Sequence, residues 1–279
     1  MTIAQARAWA IEKLKEGESP SVDSRVLLCH VLQCDQSYLF TWPEKRLTAP
    51  QQRELTELTY KRQQGYPVAY LVGTRSFWTL QLQVNESTLI PRPETELLVE
   101  TALALPLTDN ANVCDLGTGT GAIALALASE KPGWSVTGVD RVAEALSLAA
   151  QNAQLNGDLP VTWQLSNWFS GLSDTRPFDL IVTNPPYVED NSEYLAQGDV
   201  RFEPKSALTA GADGLTDIRI IVQQAADFLA NDGWLVIEHG FAQHAAIAAL
   251  LTQRGFADCR GVIDLNGHLR ITLAKWQKP

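Results

Sequence analysis

Apolar residues recur at helical spacing in the first part of the chain: Ala4, Ala8, Ile11 and Leu14, then, past the turn-rich GESPS, Val26, Leu27, His30 and Val31. A third such segment opens on Pro50, a residue suited to the first turn of a helix, and carries Leu55, Leu58 and Arg62. The pattern predicts short helices packed as a small bundle over residues 1–72. Gly65-Tyr66-Pro67 closes the bundle. Trp78, Leu80, Leu82 and Val84 then alternate with polar residues, the period of a strand, in a hairpin-like connector over 73–90.

From about Ile90 the pattern changes. ANVCDLG, WSVTGVD, VTWQL, FDLIVTN and GWLVIEHG read as strands, and TGAIALALASE, VAEALSLAAQNAQLNG, IRIIVQQAADFLA and AQHAAIAALLTQRG as helices. Alternation of this kind predicts an α/β domain over 91–279, a parallel sheet covered by helices on both faces. Two β-like runs around VIDLNGHLRITLAKW end the chain. Asn266-Gly267 between them is a hairpin signal, so one terminal strand is expected to run antiparallel to the rest.

Composition narrows the partners. The 279 residues are 45% hydrophobic and 19% charged, as in a folded globular protein. Lys plus Arg number 22 against 32 Asp plus Glu, a net charge of −10, which argues against stable nucleic-acid binding because affinity for a phosphate backbone needs clustered cations. Cys29, Cys34, Cys114 and Cys259 lack metal-site spacing and read as reduced thiols, with no metal expected. The N-terminus lacks the apolar core of a signal peptide and no run approaches the ~18 apolar residues of a membrane span, so a cytoplasmic protein without membrane partners is expected.

Asp115-Leu116-Gly117-Thr118-Gly119-Thr120-Gly121 follows a predicted strand and opens a predicted helix, where closely spaced glycines let backbone N–H groups approach a ligand. Asp140 ends the next strand, where a carboxylate accepts hydrogen bonds from both hydroxyls of a ribose. The loop points to a nucleotide-like cofactor and leaves NAD and S-adenosylmethionine open, since Gly117, Gly119 and Ala122 also fit the dinucleotide pattern. After the third strand, Asn167 and Trp168 are placed to meet an adenine ring, Trp168 against its face or edge and Asn167 at its exocyclic amine.

The strand FDLIVT runs into Asn184-Pro185-Pro186-Tyr187. Two prolines donate no backbone hydrogen bonds and hold the chain extended, which leaves nearby carbonyls free. A planar –NH2 group can give one hydrogen to the Asn184 side-chain oxygen and the other to the Pro185 carbonyl, with Tyr187 packed on its face. Two fixed acceptors push electron density toward a delocalised amide nitrogen and stabilise the positive charge that grows there during alkylation, so no strong base is needed first.

These residues resemble a known family. QQGYPVAYLVGTRSFW, LIPRPETELLVE, DLGTGTGAIALALA, GVD, NPPYV, GDVRFEPKSAL and LVIEHG, with DSRVLLCHVL nearer the start, are similar to the N5-glutamine methyltransferases of peptide-chain release factors. This is the PrmC/HemK family within the class I S-adenosylmethionine-dependent methyltransferases. NPPY by itself is shared with adenine-N6 methyltransferases of nucleic acids; IPRPETE beside it is narrower. The resemblance implies a Rossmann-like seven-stranded sheet with an N-terminal helical bundle and a β-hairpin linker. It implies S-adenosylmethionine as cofactor, release factors as partners, and the glutamine of their Gly-Gly-Gln motif as acceptor, an activity that modulates translation termination. Carried onto this chain, Gly117, Thr118, Gly119, Thr120, Gly121, Asp140, Asn167, Trp168 and Asn184 would hold the cofactor. Asn184, Pro185, Pro186 and Tyr187 would grip the glutamine amide, with Asn184, Pro185 and Tyr187 as the catalytic set. Many relatives have Asp where Asn167 stands; the Asn oxygen can still accept from the adenine amine.

Other positions carry two readings. Arg92 and Glu94 either shape the pocket mouth or simply start a helix, and Arg201 and Glu203 either cover the active site or form a surface loop. His239, beside Glu238, is read as a structural polar residue, because methyl transfer to an amide does not require an acid/base pair. Two other functions remain in view: adenine-N6 methylation of DNA or RNA, which needs base flipping and a basic groove, and an NAD-dependent or purely binding Rossmann domain.

Overall fold

The computed structural model describes residues 1–172 and 176–278. They fall into two compact units, one made of Met1–Thr74 with Tyr194–Phe202, the other of Arg75–Glu193 with the chain from Glu203 onward.

The first unit contains α1 (Ile3–Lys13), α2 (Pro20–Leu32), α3 (Gln36–Thr41), α4 (Ala49–Gln63) and α5 (Val68–Val72). Thr2 with Gln5 and Thr48 with Gln51 form capping boxes that satisfy otherwise orphaned N–H groups at the starts of α1 and α4. The core is Ile3, Ala6, Leu14, Leu27, Leu28, Val31, Leu39, Leu47 and Leu55. On α1 the buried face differs from the expected one: Ala4 and Ala8 are exposed, and Ile3, Ala6 and Ala10 lie inside with Leu14. Alanines at 4, 6, 8 and 10 allow two stripes at helical spacing, and the one that also buries Ile3 removes more apolar area from water. Tyr194–Phe202 belongs to this unit through Arg62, which pairs with Asp23 (2.7 Å) and Asp199 (2.6 Å), and through Phe202, whose ring meets that of Tyr66 edge-on at 5.2 Å.

The second unit begins at Arg75, one residue into the hairpin of β1 (Thr74–Phe77) and β2 (Leu80–Gln83). Trp78 occupies the turn at φ +56° rather than the strand. Phe77, Leu80 and Leu82 pack into the same core as Leu98 and Val99 of α6 (Glu96–Leu103), so the hairpin is part of this unit's core. The main sheet has seven strands, β3 (Asn112–Leu116), β4 (Ser135–Asp140), β5 (Val161–Leu165), β6 (Phe178–Thr183), β7 (Leu229–Glu238), β8 (Ala257–Ile263) and β9 (Leu269–Lys275), in the order β5-β4-β3-β6-β7-β9-β8. β3 to β7 pair in parallel; β9 is antiparallel to both neighbours, as the Asn266-Gly267 hairpin requires.

Helices cover both faces of the sheet. Along β6, Leu180 and Val182 join the core under α6 and α7 (Ala122–Glu130), whereas Ile181 joins the opposite one under α9 (Thr216–Phe228) and α10 (His244–Arg254). α9 shows why it lies where it does: Ile218, Ile221, Val222, Ala225 and Ala226 form a single apolar stripe. From β3 the chain builds outward through β4 and β5, then returns to place β6 on the other side of β3. At such a reversal the connecting loops diverge and leave a crevice beyond the strand ends.

Candidate active site

The Gly-rich loop leaves β3 and enters α7 with Gly117, Gly119 and Gly121 at φ +72°, +54° and +83°, a region that favours glycine. Gly117 and Thr118 donate to the Val139 carbonyl, both at 2.9 Å, which lays the loop against β4. Beneath it Asp115 is fully buried; one carboxyl oxygen accepts from Thr118 Oγ1 (2.6 Å) and the Ala124 N–H (3.2 Å), and the other has no partner. Burial pushes the Asp115 carboxyl up to about 7.

Asp140 ends β4 and accepts the Gly119 N–H at one oxygen and the Val142 N–H at the other, each at 2.9 Å. These bonds fix the carboxylate at the loop. Trp168 follows β5 at φ +51°, with its indole N–H on Asp217 (3.1 Å) and its carbonyl taking the Ser166 hydroxyl (2.6 Å). A Cβ at position 117 would sit 3.4 Å from the Trp168 ring, so a glycine there keeps the space between loop and indole open.

Asn184 follows β6, whose last residue, Thr183, donates to the Leu116 carbonyl (2.8 Å) and ties the ends of β6 and β3 together. Asn184 Nδ2 donates to Thr95 Oγ1 at 3.1 Å. Glu238, at the end of β7, is 3% exposed; burial pushes its carboxyl up to about 7, while nearby Thr95, Arg270 and Asn184 favour the ionised form. His239 is explained without chemistry. Its Nδ1 meets the Gly240 carbonyl (2.9 Å) and its Nε2 the Thr272 hydroxyl (2.7 Å), which also meets His244 Nδ1 (2.8 Å), and burial pushes its pKa down.

One cleft gathers most of the residues expected from sequence: Gly117, Thr118, Gly119, Thr120, Asp140, Asn167, Trp168, Asn184 and Pro186 line it. Gly121, Pro185 and Tyr187 do not. A Cβ on Gly121 would come within 3.0 Å of Trp163 and 3.1 Å of Ala149, so this glycine serves helix–strand packing. Pro185 is buried, and Tyr187 packs partly into the α9 core while its carbonyl accepts from Gln243 (3.0 Å).

Arg92 lines the cleft and is held by Glu203, whose other oxygen accepts the Ile90 N–H at 3.0 Å; Glu94 lies in the 3₁₀ turn Pro93–Thr95. Arg201 lies in the helical unit and bonds the Gly198 carbonyl (3.0 Å). Thr88, Thr95, Arg141 and Ser206 also line the cleft without having been picked out from sequence. Thr95 sits inside the IPRPETE run, where its charged neighbours draw attention away from it. Among the described residues no cluster of His, Cys, Asp or Glu is arranged to hold a metal ion.

The donor set suits a nucleoside: a glycine loop open to close approach, a fixed carboxylate at the end of the next strand, and an anchored indole. Residues 5–73 match the family model described as the PrmC N-terminal domain, and residues 93–267 that of the methyltransferase small domain. The chain is 48% identical over 275 residues to the release factor glutamine methyltransferase of Shewanella oneidensis, covering 98% of this chain and 96% of that protein. It is 51% identical over 264 residues to the protein of the same name in Pseudomonas aeruginosa, covering 95% of each. The fold is also similar to that of a T. thermophilus 16S rRNA N2 methyltransferase solved with S-adenosylmethionine and guanosine. There the TM-score is 0.54 at 21% identity, over 73% of this chain and 50% of that one.

Proposed function

The chain belongs to the release factor glutamine methyltransferase family, and from that premise we propose that it methylates the side-chain amide nitrogen (N5) of the glutamine in the Gly-Gly-Gln motif of peptide-chain release factors. The methyl donor is S-adenosylmethionine and the product S-adenosylhomocysteine. Its place of action is the cytoplasm, where it modulates translation termination. Among the described residues no helix is long and apolar enough to cross a membrane.

The observation that carries this proposal is the placement of Asn184 in the same cleft as the Gly117–Thr120 loop, Asp140 and Trp168. Asp140, already braced by two backbone N–H groups, would take the ribose hydroxyls. Trp168 and Asn167 would flank the adenine. When bound, S-adenosylmethionine supplies a methyl group on a positively charged sulfur. The Asn184 side-chain oxygen and the Pro185 carbonyl would accept the two N–H bonds of the acceptor amide, with Pro186 and Tyr187 shaping the channel around it. Oriented acceptors favour the nitrogen as it gains positive charge, and the proton it then sheds leaves to solvent.

Tritium from labelled S-adenosylmethionine should pass to purified release factor and not to DNA. Labelling that survives Gln→Ala in the Gly-Gly-Gln motif would sink the acceptor assignment, and labelling of DNA would favour adenine-N6 methylation.

A further inference from the structure

The Asn184 amide is itself held by a partner within the protein, the Thr95 hydroxyl. An amide side chain has one end that donates and one that accepts, and only its oxygen can receive an N–H from the substrate. Turned the other way, it would present hydrogens to hydrogens. Something has to choose between two orientations of nearly the same shape.

Three elements converge to make that choice. The Asn184 nitrogen donates to Thr95 Oγ1 at 3.1 Å, and both side chains stand close enough to the buried Glu238 carboxyl at the end of β7 to favour its ionised form. An ionised carboxylate only accepts, so it favours the arrangement in which Thr95 turns its hydroxyl proton, and Asn184 an N–H, toward it. The Thr95 oxygen takes the other. The Asn184 nitrogen is then held on the side of Thr95 and Glu238, and the oxygen is left to the acceptor. A flipped Asn184 would set its oxygen against the carboxylate. Glu238 Oε2 is moreover buried with no hydrogen-bond partner, a costly arrangement for a residue serving stability alone.

We propose that Glu238, with Thr95, is a positioning residue that locks the Asn184 amide with its nitrogen inward and its oxygen toward the glutamine being methylated. This rests on the proposed glutamine methylation and adds the device that orients it. A protonated Glu238 can donate, and so can accept either orientation of Asn184. The charged groups acting on it are Arg270 of β9, which favours the ionised form, and Glu94 of the 3₁₀ turn, which opposes it. Neither an amide nor a sulfonium titrates near neutrality, so turnover should rise through about pH 7 as Glu238 ionises.

The test compares labelled-methyl transfer to release factor by wild type, E238Q, T95V, N184D and the double variant N184D/E238Q, with cofactor affinity by equilibrium dialysis. E238Q should lower kcat by about tenfold or more, leave cofactor affinity within about twofold, and lose the rise near pH 7. T95V, which keeps the shape and removes the hydroxyl, should lower kcat with the same unchanged affinity. N184D sets two carboxylates together and should be worse than E238Q; the double variant should recover about tenfold over N184D, because the new amide at 238 donates to the new carboxylate at 184. Unchanged kcat and pH profile in E238Q and T95V, or no recovery in the double variant, overturns the proposal. Wild type that fails to label release factor overturns the methylation itself.

Discussion

At the scale of single residues, Asn184 and Asp115 answer different demands. Asn184→Ala removes an oriented acceptor and nothing that braces the Gly-rich loop or Asp140. Turnover should fall by about 10²–10³ while cofactor binding by equilibrium dialysis stays nearly unchanged; equal loss of both would make Asn184 a cofactor residue. Asp115 tests burial. In the folded chain its carboxyl stays protonated up to about 7, whereas an unfolded chain ionises it near 4. The folded state holds the extra proton between those values, so the stability it contributes is full below about 4 and is lost as pH rises through about 7. Asp115→Asn has no such proton. Urea unfolding at several pH values should show the variant gaining on wild type as pH rises, and a constant difference would contradict the assignment. The Asp140 carboxylate was legible from its spacing after the Gly-rich loop. The orphaned oxygen of Asp115 and the pairing of Thr95 with Asn184 were not, because neither follows from neighbours in sequence.

Among the elements, the β1–β2 hairpin depends on a helix far along the chain. Asn152 of α8 (Ala143–Leu155) is fully buried; its oxygen accepts the Gln83 N–H (2.6 Å) and its nitrogen donates to the carbonyls of Gln83 (3.1 Å) and Thr120 (2.9 Å). One turn on, Asn156 makes the same pair of bonds to Gln81 at 3.1 and 2.9 Å. Two side chains four residues apart thus stand in for a neighbouring strand along β2, and Asn152 also holds the Gly-rich loop. Asn152→Leu leaves three backbone groups unpaired, at a cost on the order of 1–3 kcal/mol for each one that stays buried. It should lower the urea midpoint and weaken cofactor binding several-fold, whereas Asn156→Leu, at the exposed end, should do little to either. The apolar spacing that placed α8, α9 and the sheet strands made them the clearest elements in the sequence. Nothing in that spacing marks an asparagine as buried, and the short α3 and α5 lack enough turns for a period to show.

For the whole molecule, charge is unevenly divided. Residues 1–80 hold 10 basic and 8 acidic groups, net +2, and residues 81–279 hold 12 and 24, net −12. An acidic catalytic part is suited to a basic protein loop and poorly suited to DNA. Apparent affinity for release factor should therefore fall several-fold between about 0.05 and about 0.3 M salt, as the screening length shrinks below the spacing of exposed charges. Salt-independent binding, measured by titration, would leave shape as the basis of docking. The split of the chain is not a single cut: Tyr194–Phe202 leaves the loop after Pro186 to join the helices through Asp199 and Arg62.

The sequence by itself determined the classes of structure and chemistry: helices then α/β alternation, a nucleoside loop with its carboxylate, and an asparagine followed by prolines. Those are local patterns, carried by periodicity and by residues a few positions apart. Tertiary structure decided which face of α1 is buried, that Gly121 packs against Trp163 and Ala149, that Arg92 answers Glu203, and that Thr95 and Glu238 stand beside Asn184. Each of these joins groups distant in the chain, and such a pairing exists only once the sheet order has brought the ends of β3, β6 and β7 side by side.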